Sequence, residues 1–165
     1  MKLETMLALR RCLKRDDSKE NQQKQANMLK GILKINQEVF VSGIAVIEIY
    51  EDCAEIAPML SYGLKLVRRG IEPQMIESIL LNAAIANETD LLESLLVMDG
   101  VQSIQMRQGP DITRELLLSY FDFQTQERIR KGIKDLRLNS GEPLGMAEVG
   151  ELLRRQKNGS GSNAN

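Results

Sequence analysis

Few residues in this chain have the types and spacing that chemistry requires. The 165 residues contain no histidine, which removes the usual general base, the commonest transition-metal ligand and the usual physiological pH switch. Cys12 and Cys53 lie far apart in helical patterns without zinc-site spacing, so we interpret both as reduced thiols. No phosphate-binding glycine loop and no nucleophile elbow is found in the sequence. Only pairs of carboxylates remain as candidates for catalysis.

These carboxylate pairs have a simpler structural interpretation. Asp16 with Asp17, and Glu88 with Asp90, have the positions of helix caps or solvated turns, and an acid–base dyad is the less favoured alternative. The sequence therefore predicts no catalytic residue, no cofactor-binding residue and no metal ligand. We expect a protein that is not an enzyme and that uses no cofactor.

Arginines at the ends of predicted helices are the residues best suited to bind a charged partner. Arg68, Arg69 and Arg107 lie in the last turns of two predicted helices, where cations meet the exposed backbone carbonyls. Their simpler role is to stabilise those helix ends, and their alternative role is to form a docking patch. Both roles depend on the helices that these residues end.

Residues 62–120 contain one pattern twice, in which a helix leads into a charged turn, a proline and a second helix. Gly63 and Pro73 of the first unit match Gly100 and Pro110 of the second at a constant offset of 37 residues. Each proline suits the first turn of the following helix, because amide groups there have no intrahelical partner. The sequence therefore predicts an internal helix–Pro–helix pseudo-repeat, with helices beginning at both prolines.

The composition favours helices over sheet. Hydrophobic residues make up 42% of the chain and are rich in Leu, Ile and Met, whereas Phe and Tyr contribute three residues each and Trp none. We predict an all-α fold, a compact multi-helix bundle about one domain in size. Neither a run of about 18 apolar residues nor a signal peptide is found, which predicts a cytoplasmic protein without an integral membrane segment.

The chain divides into three predicted regions. Residues 1–19 form an amphipathic helix, residues 20–138 form the main helical domain, and residues 139–165 form a linker, a short helix and a Gly/Ser/Asn-rich tail. Inside the domain, residues 44–59 have a helical pattern. Residues 79–86 are apolar nearly all round, which is typical of a helix covered on several faces.

The charge distribution makes nucleic-acid binding the least favoured of the functions considered. The chain has 22 basic and 23 acidic residues, so its net charge is −1 with mixed signs. The predicted helix over residues 124–138 is basic, but aromatic residues for base stacking are nearly absent. We therefore predict that the partners of this protein are other proteins.

Two parts of the chain, the first of which contains two separate motifs, follow patterns known from one protein family. Residues 42–48 read Ser-Gly-Ile-Ala-Val-Ile-Glu, and residues 63–73 read Gly-Leu-Lys-Leu-Val-Arg-Arg-Gly-Ile-Glu-Pro. Residues 97–110 read Val-Met-Asp-Gly-Val-Gln-Ser-Ile-Gln-Met-Arg-Gln-Gly-Pro. These segments resemble Gly-x-x-x-Leu-Glu, Gly-Leu-x-Leu-Val-x-Asp-Gly-x-x-Pro and Glu-Gly-Ile-x-Ser-Ile-Gln-x-Gly-x-x-Pro of the flagellar motor stator protein MotA family. The resemblance is to the cytoplasmic parts of that family and covers about residues 28–122.

The resemblance implies a helical module that acts in bacterial flagellar motility, at the motor, through contacts with the rotor's switch-complex protein or with stator subunits. The membrane helices of the family have no counterpart here, so ion conduction is not implied. In the family an arginine and a glutamate contact the rotor by charge; the glutamate matches Glu48, whereas Phe40 stands at the position of the arginine. The family's aspartate before the glycine is Arg69 here, which reverses the charge. The candidate protein-contact residues are Glu48, Arg68, Arg69 and Arg107.

The alternative function is a helical scaffold or adaptor that has no role in motility and forms homo-oligomers through an apolar helix face. Residues 91–98 are the candidate face, since they are largely Leu, Val and Met. If a single chain left this face uncovered, an oligomer would be favoured.

Overall fold

The computed structural model describes Glu4, Leu7, residues 18–51, Cys53 and residues 55–134, with the backbone alone for Lys134. In this part of the chain the regular elements are α-helices and one 3-10 helix, without a strand, which confirms the all-α prediction. Their bounds are α1 Lys19–Ser42, the 3-10 helix Ile44–Ile49, α2 Pro58–Arg68, α3 Pro73–Ala86, α4 Leu91–Gln105, α5 Pro110–Leu118 and α6 Phe123–Lys134. None of the helices that the described residues form is both long enough and apolar enough to cross a membrane. Apart from Glu4 and Leu7, which are helical and exposed, the predicted N-terminal helix lies outside the described residues, as does everything predicted after residue 134.

Three of the helices begin at a proline. Pro58, Pro73 and Pro110 are the first residues of α2, α3 and α5, where the missing amide proton costs no intrahelical hydrogen bond. Helix α4 begins behind a capping carboxylate, since Asp90 accepts a hydrogen bond from the Glu93 amide at 3.0 Å. The predicted helix starts at Pro73 and Pro110 are confirmed.

The junctions that follow α2 and α4 have the same backbone hydrogen bonds. The amide of Ile71 donates to the carbonyl of Leu66 at 3.2 Å, and the amide of Gln108 donates to the carbonyl of Ser103 at 2.9 Å. Both bonds close a helix end in the same way, and they lie 37 residues apart. The helix–Pro–helix pseudo-repeat is therefore confirmed in the hydrogen bonds of the backbone.

Helix α4 lies at the centre of the bundle. It packs against α1, α2, α3 and α5, and twelve of its fifteen residues are buried. Residues 92–98, most of the candidate oligomer face, are all buried within the single chain. The prediction that residues 79–86 are covered on several faces is wrong, because α3 buries one face and leaves Ile85 41% exposed.

The segment between α1 and α2 also differs from its prediction. Gly43, with φ 91°, ends α1, and the short 3-10 helix follows. The described residues from 50 to 57 form no helix, so the helical prediction for residues 44–59 is wrong between the 3-10 helix and Pro58, where α2 begins. Contacts with α2 hold this backbone instead: the Ser61 hydroxyl donates to the Glu51 carbonyl, and the Glu51 carboxylate pairs with Arg68.

Helices α1 and α4 run parallel. Near their N-terminal ends, Lys24 Nζ lies 2.6 Å from Glu93 Oε2. Near their C-terminal ends, Asn36 Nδ2 donates to the Gln108 carbonyl at 3.1 Å. The C-terminal end of α1 therefore lies beside the junction between α4 and α5.

Two buried glycines let neighbouring helices approach closely. A Cβ atom at Gly63 of α2 would lie 2.6 Å from Val101 Cγ2 of α4, and a Cβ atom at Gly100 of α4 would lie 2.5 Å from Ile32 Cγ2 of α1. Each of these helical glycines leaves a space that can hold a side chain from a neighbouring helix. We call such a glycine, together with this space, a glycine notch. The notches at Gly63 and Gly100 are filled by β-branched side chains.

Hydrogen bonds from two amide side chains show that the two helix contacts are equivalent. Gln105 Nε2 of α4 donates to the Ile71 carbonyl after α2 at 2.6 Å, just as Asn36 of α1 donates to Gln108 after α4. The donors are 69 residues apart, the same separation that relates the notch-filling residues 32 and 101. Helix α2 is thus parallel to α4, and α1 packs on α4 as α4 packs on α2.

Candidate protein-contact surface

The C-terminal ends of the three parallel helices form one end of the bundle. The ends of α1, α2 and α4 meet there with the 3-10 helix and with the junctions that lead into α3 and α5. We call this end the junction face and define it by residues 40–48, 68–75 and 105–112. The four candidate contact residues predicted from the sequence all lie on it: Glu48, Arg68, Arg69 and Arg107.

The three arginines of the junction face have different surroundings. Arg68 pairs with Glu51, whose side chain is 6% exposed, so this guanidinium neutralises a buried carboxylate. Arg69 is the exposed C-cap residue of α2. Arg107 is exposed, and its Nη2 donates to the Phe40 carbonyl at the end of α1 at 3.1 Å. Arg68 therefore has a structural role in addition to its exposure, and all three arginines are accessible to a partner.

Glu48 is exposed on the 3-10 helix. Two of these arginines contact the chain on either side of it. The backbone before it is bound by Arg107 at Phe40, and the backbone after it is fixed through the ion pair of Glu51 with Arg68. The Arg107 guanidinium therefore binds the backbone of the segment that leads into the 3-10 helix of Glu48, although Arg107 and Glu48 lie far apart in the sequence.

Large apolar side chains are exposed on the junction face. Met75, Met106 and Ile112 are 57%, 63% and 60% exposed, and Phe40 and Ile44 are 45% and 37% exposed. Sequence periodicity places Met75, Ile112 and Phe40 on apolar helix faces, but a pattern does not show which faces a neighbouring helix covers. The sequence does relate two of these residues to each other, since Met75 and Ile112 occupy the same position in the two repeat units. Exposed apolar residues rimmed by charges are typical of a protein-interaction surface.

Arg107 occupies a backbone conformation that favours glycine. Its φ is 50°, and its counterpart in the first repeat unit, Gly70, has φ 71°. A residue with a side chain costs about 1–2 kcal/mol in this left-handed region. Strained backbone of this kind collects at functional sites, so Arg107 is a stronger candidate for a contact residue than its position at a helix end alone indicates.

We expect Arg107→Gly to raise the free energy of unfolding by about 1 kcal/mol, because glycine relieves this strain. The exchange also removes the hydrogen bond to Phe40, but that bond is exposed and contributes little. Urea denaturation measures the change. Met106→Gly, one residue earlier in a right-handed conformation, is the control and is expected to be destabilising. A less stable Arg107→Gly variant would show that the hydrogen bond outweighs the strain.

A second polar cluster lies between α3 and α4. Asp99 is 5% exposed and accepts a hydrogen bond from the Tyr120 hydroxyl. Asp99, Glu77 and Gln105 line one small cavity. The Oε1 atoms of Glu77 and Gln105 are buried and accept no hydrogen bond from a described residue. Burial raises the pKa of Asp99, and the Glu77 charge acts in the same direction. Since no three Cys, Asp or Glu side chains of the described residues are grouped to hold a metal ion, we assign this cluster no ligand.

Comparison with known proteins identifies no relative of this chain. No protein-family model, no curated protein and no solved structure matches it. The resemblance to the MotA family therefore stays a prediction, which depends on the two sequence segments and their order.

Proposed function

We propose that this protein is a helical module that acts in bacterial flagellar motility by binding the rotor's switch-complex protein or stator subunits through its junction face. In this function it conducts no ions and works as a peripheral component on the cytoplasmic side of the motor. The sequence resemblance supports the class of partner. The geometry of the junction face supports the location of the contact.

The observation that carries this proposal is the position of Arg107. The resemblance implies a charge contact with an arginine at the position of Phe40 and a glutamate at the position of Glu48. Phe40 cannot supply the cation, but Arg107 Nη2 lies 3.1 Å from the Phe40 carbonyl oxygen. The second repeat unit therefore contributes a cation at the residue that occupies the arginine's position, and Glu48 is exposed on the same face.

The apolar residues of the junction face give the contact a second component. Met106, which precedes Arg107, and Ile112 on α5 are each at least 60% exposed. Apolar side chains in the centre of an interface exclude water, and charges at its rim set orientation and association rate. The junction face combines both, as a specific protein contact requires.

We expect Arg107→Glu to weaken binding of the purified switch-complex protein about tenfold, which corresponds to about 1.4 kcal/mol. The exchange replaces the cation of the junction face with an anion, so complementarity to an acidic site on the partner is lost. Calorimetric titration at two ionic strengths measures the loss. Binding that depends on charge is expected to weaken as salt increases.

Lys131→Glu on α6 is the matched control, because it makes the same change of charge at an exposed site outside the junction face. It is expected to leave binding unchanged. The proposal fails if the full chain binds neither the switch-complex protein nor stator subunits and if deletion of its gene leaves swimming normal.

The second candidate function is a scaffold or adaptor that has no role in motility and oligomerises through an apolar face. Residues 92–98 are buried and cannot provide that face, but the exposed Met75, Met106 and Ile112 can. Sedimentation separates the two functions. A chain that is monomeric at all concentrations argues against the scaffold, and an oligomer that Met106→Glu dissociates argues for it.

A further inference from the structure

Helix α1 carries a third glycine in the register of the two filled glycine notches. Gly31 precedes Gly100 by 69 residues, the separation that also relates Ile32 to Val101. No atom of the described residues outside its own helical turn lies within 4 Å of the Cβ position at Gly31, whereas Gly63 and Gly100 each contact a β-branched side chain. The third notch is therefore open.

The open notch lies in a groove between α1 and the start of α2. The groove has a volume of about 690 Å³, and its lining is mainly apolar, with Met28, Ile56 and Leu60 beside Gly31. These residues belong to α1 up to Gly31 and to the start of α2 with the chain that enters it, so the groove is separate from the junction face. A space of this size can take the side chains of one helix face.

The edge of the groove has an excess of negative charge. Lys24 lies 2.6 Å from Glu93 of α4, so its charge is already compensated. Glu20 and Glu55 are exposed, and neither forms an ion pair with a described residue. A lysine or arginine on an incoming partner would meet both carboxylates.

We propose that this groove binds an α-helix of a partner protein, with a valine or isoleucine of that helix in the notch at Gly31 and a lysine or arginine beside Glu20 and Glu55. The filled notches give the reason for this occupant, because each accepts a β-branched side chain from a parallel helix. Charge complementarity gives the reason for the flanking cation. The partner helix continues the packing series in which α4 lies on α2 and α1 lies on α4.

The test uses the full chain and a synthetic probe helix. The probe is a fluorescein-labelled, Ala- and Lys-rich peptide of about 18 residues with a central Leu-x-x-Ile-x-x-x-Leu stripe. Its matched control peptide has Asp in place of the central Ile. We expect the probe to bind the native chain in fluorescence anisotropy, and the control peptide to bind about tenfold more weakly.

Gly31→Leu fills the notch and is expected to weaken probe binding about tenfold. Because the substituted side chain meets open space, the variant is expected to keep the native circular dichroism spectrum and a thermal midpoint at least as high as that of the native chain. The double variant Glu20→Lys with Glu55→Lys leaves the notch intact, and it is expected to weaken binding of the cationic probe by reversing the charge at the edge.

Three results would overturn the proposal. In the first, both peptides bind alike, or Gly31→Leu binds the probe as the native chain does. In the second, the native chain is a dimer that Gly31→Leu converts to a monomer, which assigns the groove to a second copy. In the third, the probe binds only after residues 139–165 are removed, which assigns the groove to this chain's own sequence.

Discussion

Gly100→Ala is expected to lower the free energy of unfolding by about 2 kcal/mol. The added methyl group would lie 2.5 Å from Ile32 Cγ2 and 3.0 Å from Ile32 Cδ1. Ile32 is fully buried and β-branched, so its side chain cannot rotate away without an unfavourable rotamer. Alanine is favoured over glycine in a helix by about 1 kcal/mol, so an effect of helix propensity alone would have the opposite sign. Urea denaturation of the two chains measures the difference.

Gly31→Ala is the matched control, since the same exchange in α1 meets no atom of the described residues within 4 Å. We expect it to raise the free energy of unfolding by about 1 kcal/mol. The clash at Gly100 can also be relieved from the other side, because Ile32→Ala removes the obstructing methyl groups. Gly100→Ala is therefore expected to cost less in an Ile32→Ala background. Two results would show that α1 and α4 do not approach closely at this glycine. In one, the losses of stability caused by Gly100→Ala and Ile32→Ala are additive; in the other, Gly100→Ala is as stable as the native chain.

The helix–Pro–helix units could be predicted because their signals are local. Pro73 and Pro110 set the backbone of their own helix starts, and the matching glycines give the offset directly. The packing of α1 on α4 could not be predicted in this way. Helix α1 precedes both units in the chain. Ile32 corresponds to Val101 only in the structure, where Ile32 fills the notch at Gly100 and Val101 fills the notch at Gly63.

The candidate contact surface could be predicted in part, for a similar reason. Arg107 is recognisable from its place at a helix end, but its hydrogen bond to Phe40 joins residues that are 67 positions apart. The exposure of Met75 and Ile112 could not be predicted, because a spacing of three and four residues marks an apolar face without showing whether another helix covers it. The same spacing does not reveal that α4 is the helix covered on nearly every side.

Tyr120→Phe is expected to lower the free energy of unfolding by about 2 kcal/mol at neutral pH. The Tyr120 hydroxyl donates to Asp99, which is 5% exposed and shares a cavity with Glu77. Phenylalanine keeps the ring but leaves the buried carboxylate with one donor fewer, next to a second acidic side chain. Chemical denaturation at neutral pH measures the loss.

The loss of stability in Tyr120→Phe should depend on pH with a definite sign. Burial raises the pKa of Asp99 above 3.8, the Tyr120 hydrogen bond opposes this rise, and Glu77 adds to it. A carboxyl group whose pKa is higher in the folded chain binds more protons there, so stability is full below the unfolded pKa and falls as pH rises through the folded pKa. Without the hydroxyl, the pKa of Asp99 rises further. We therefore expect a smaller loss near the unfolded pKa than at neutral pH.

Asp99→Asn separates the effect of the charge from the effect of packing. The amide oxygen still accepts a hydrogen bond from Tyr120, and the NH₂ group can donate towards Glu77 in the same cavity, with no charge to desolvate. We expect this variant to be at least as stable as the native chain at neutral pH, and to lose the fall in stability that Asp99 causes as pH rises. Tyr120→Phe is then expected to cost less in this background. If it costs the same in both backgrounds and at both pH values, the hydroxyl acts through packing alone, and the buried carboxylate does not control the stability of this part of the bundle.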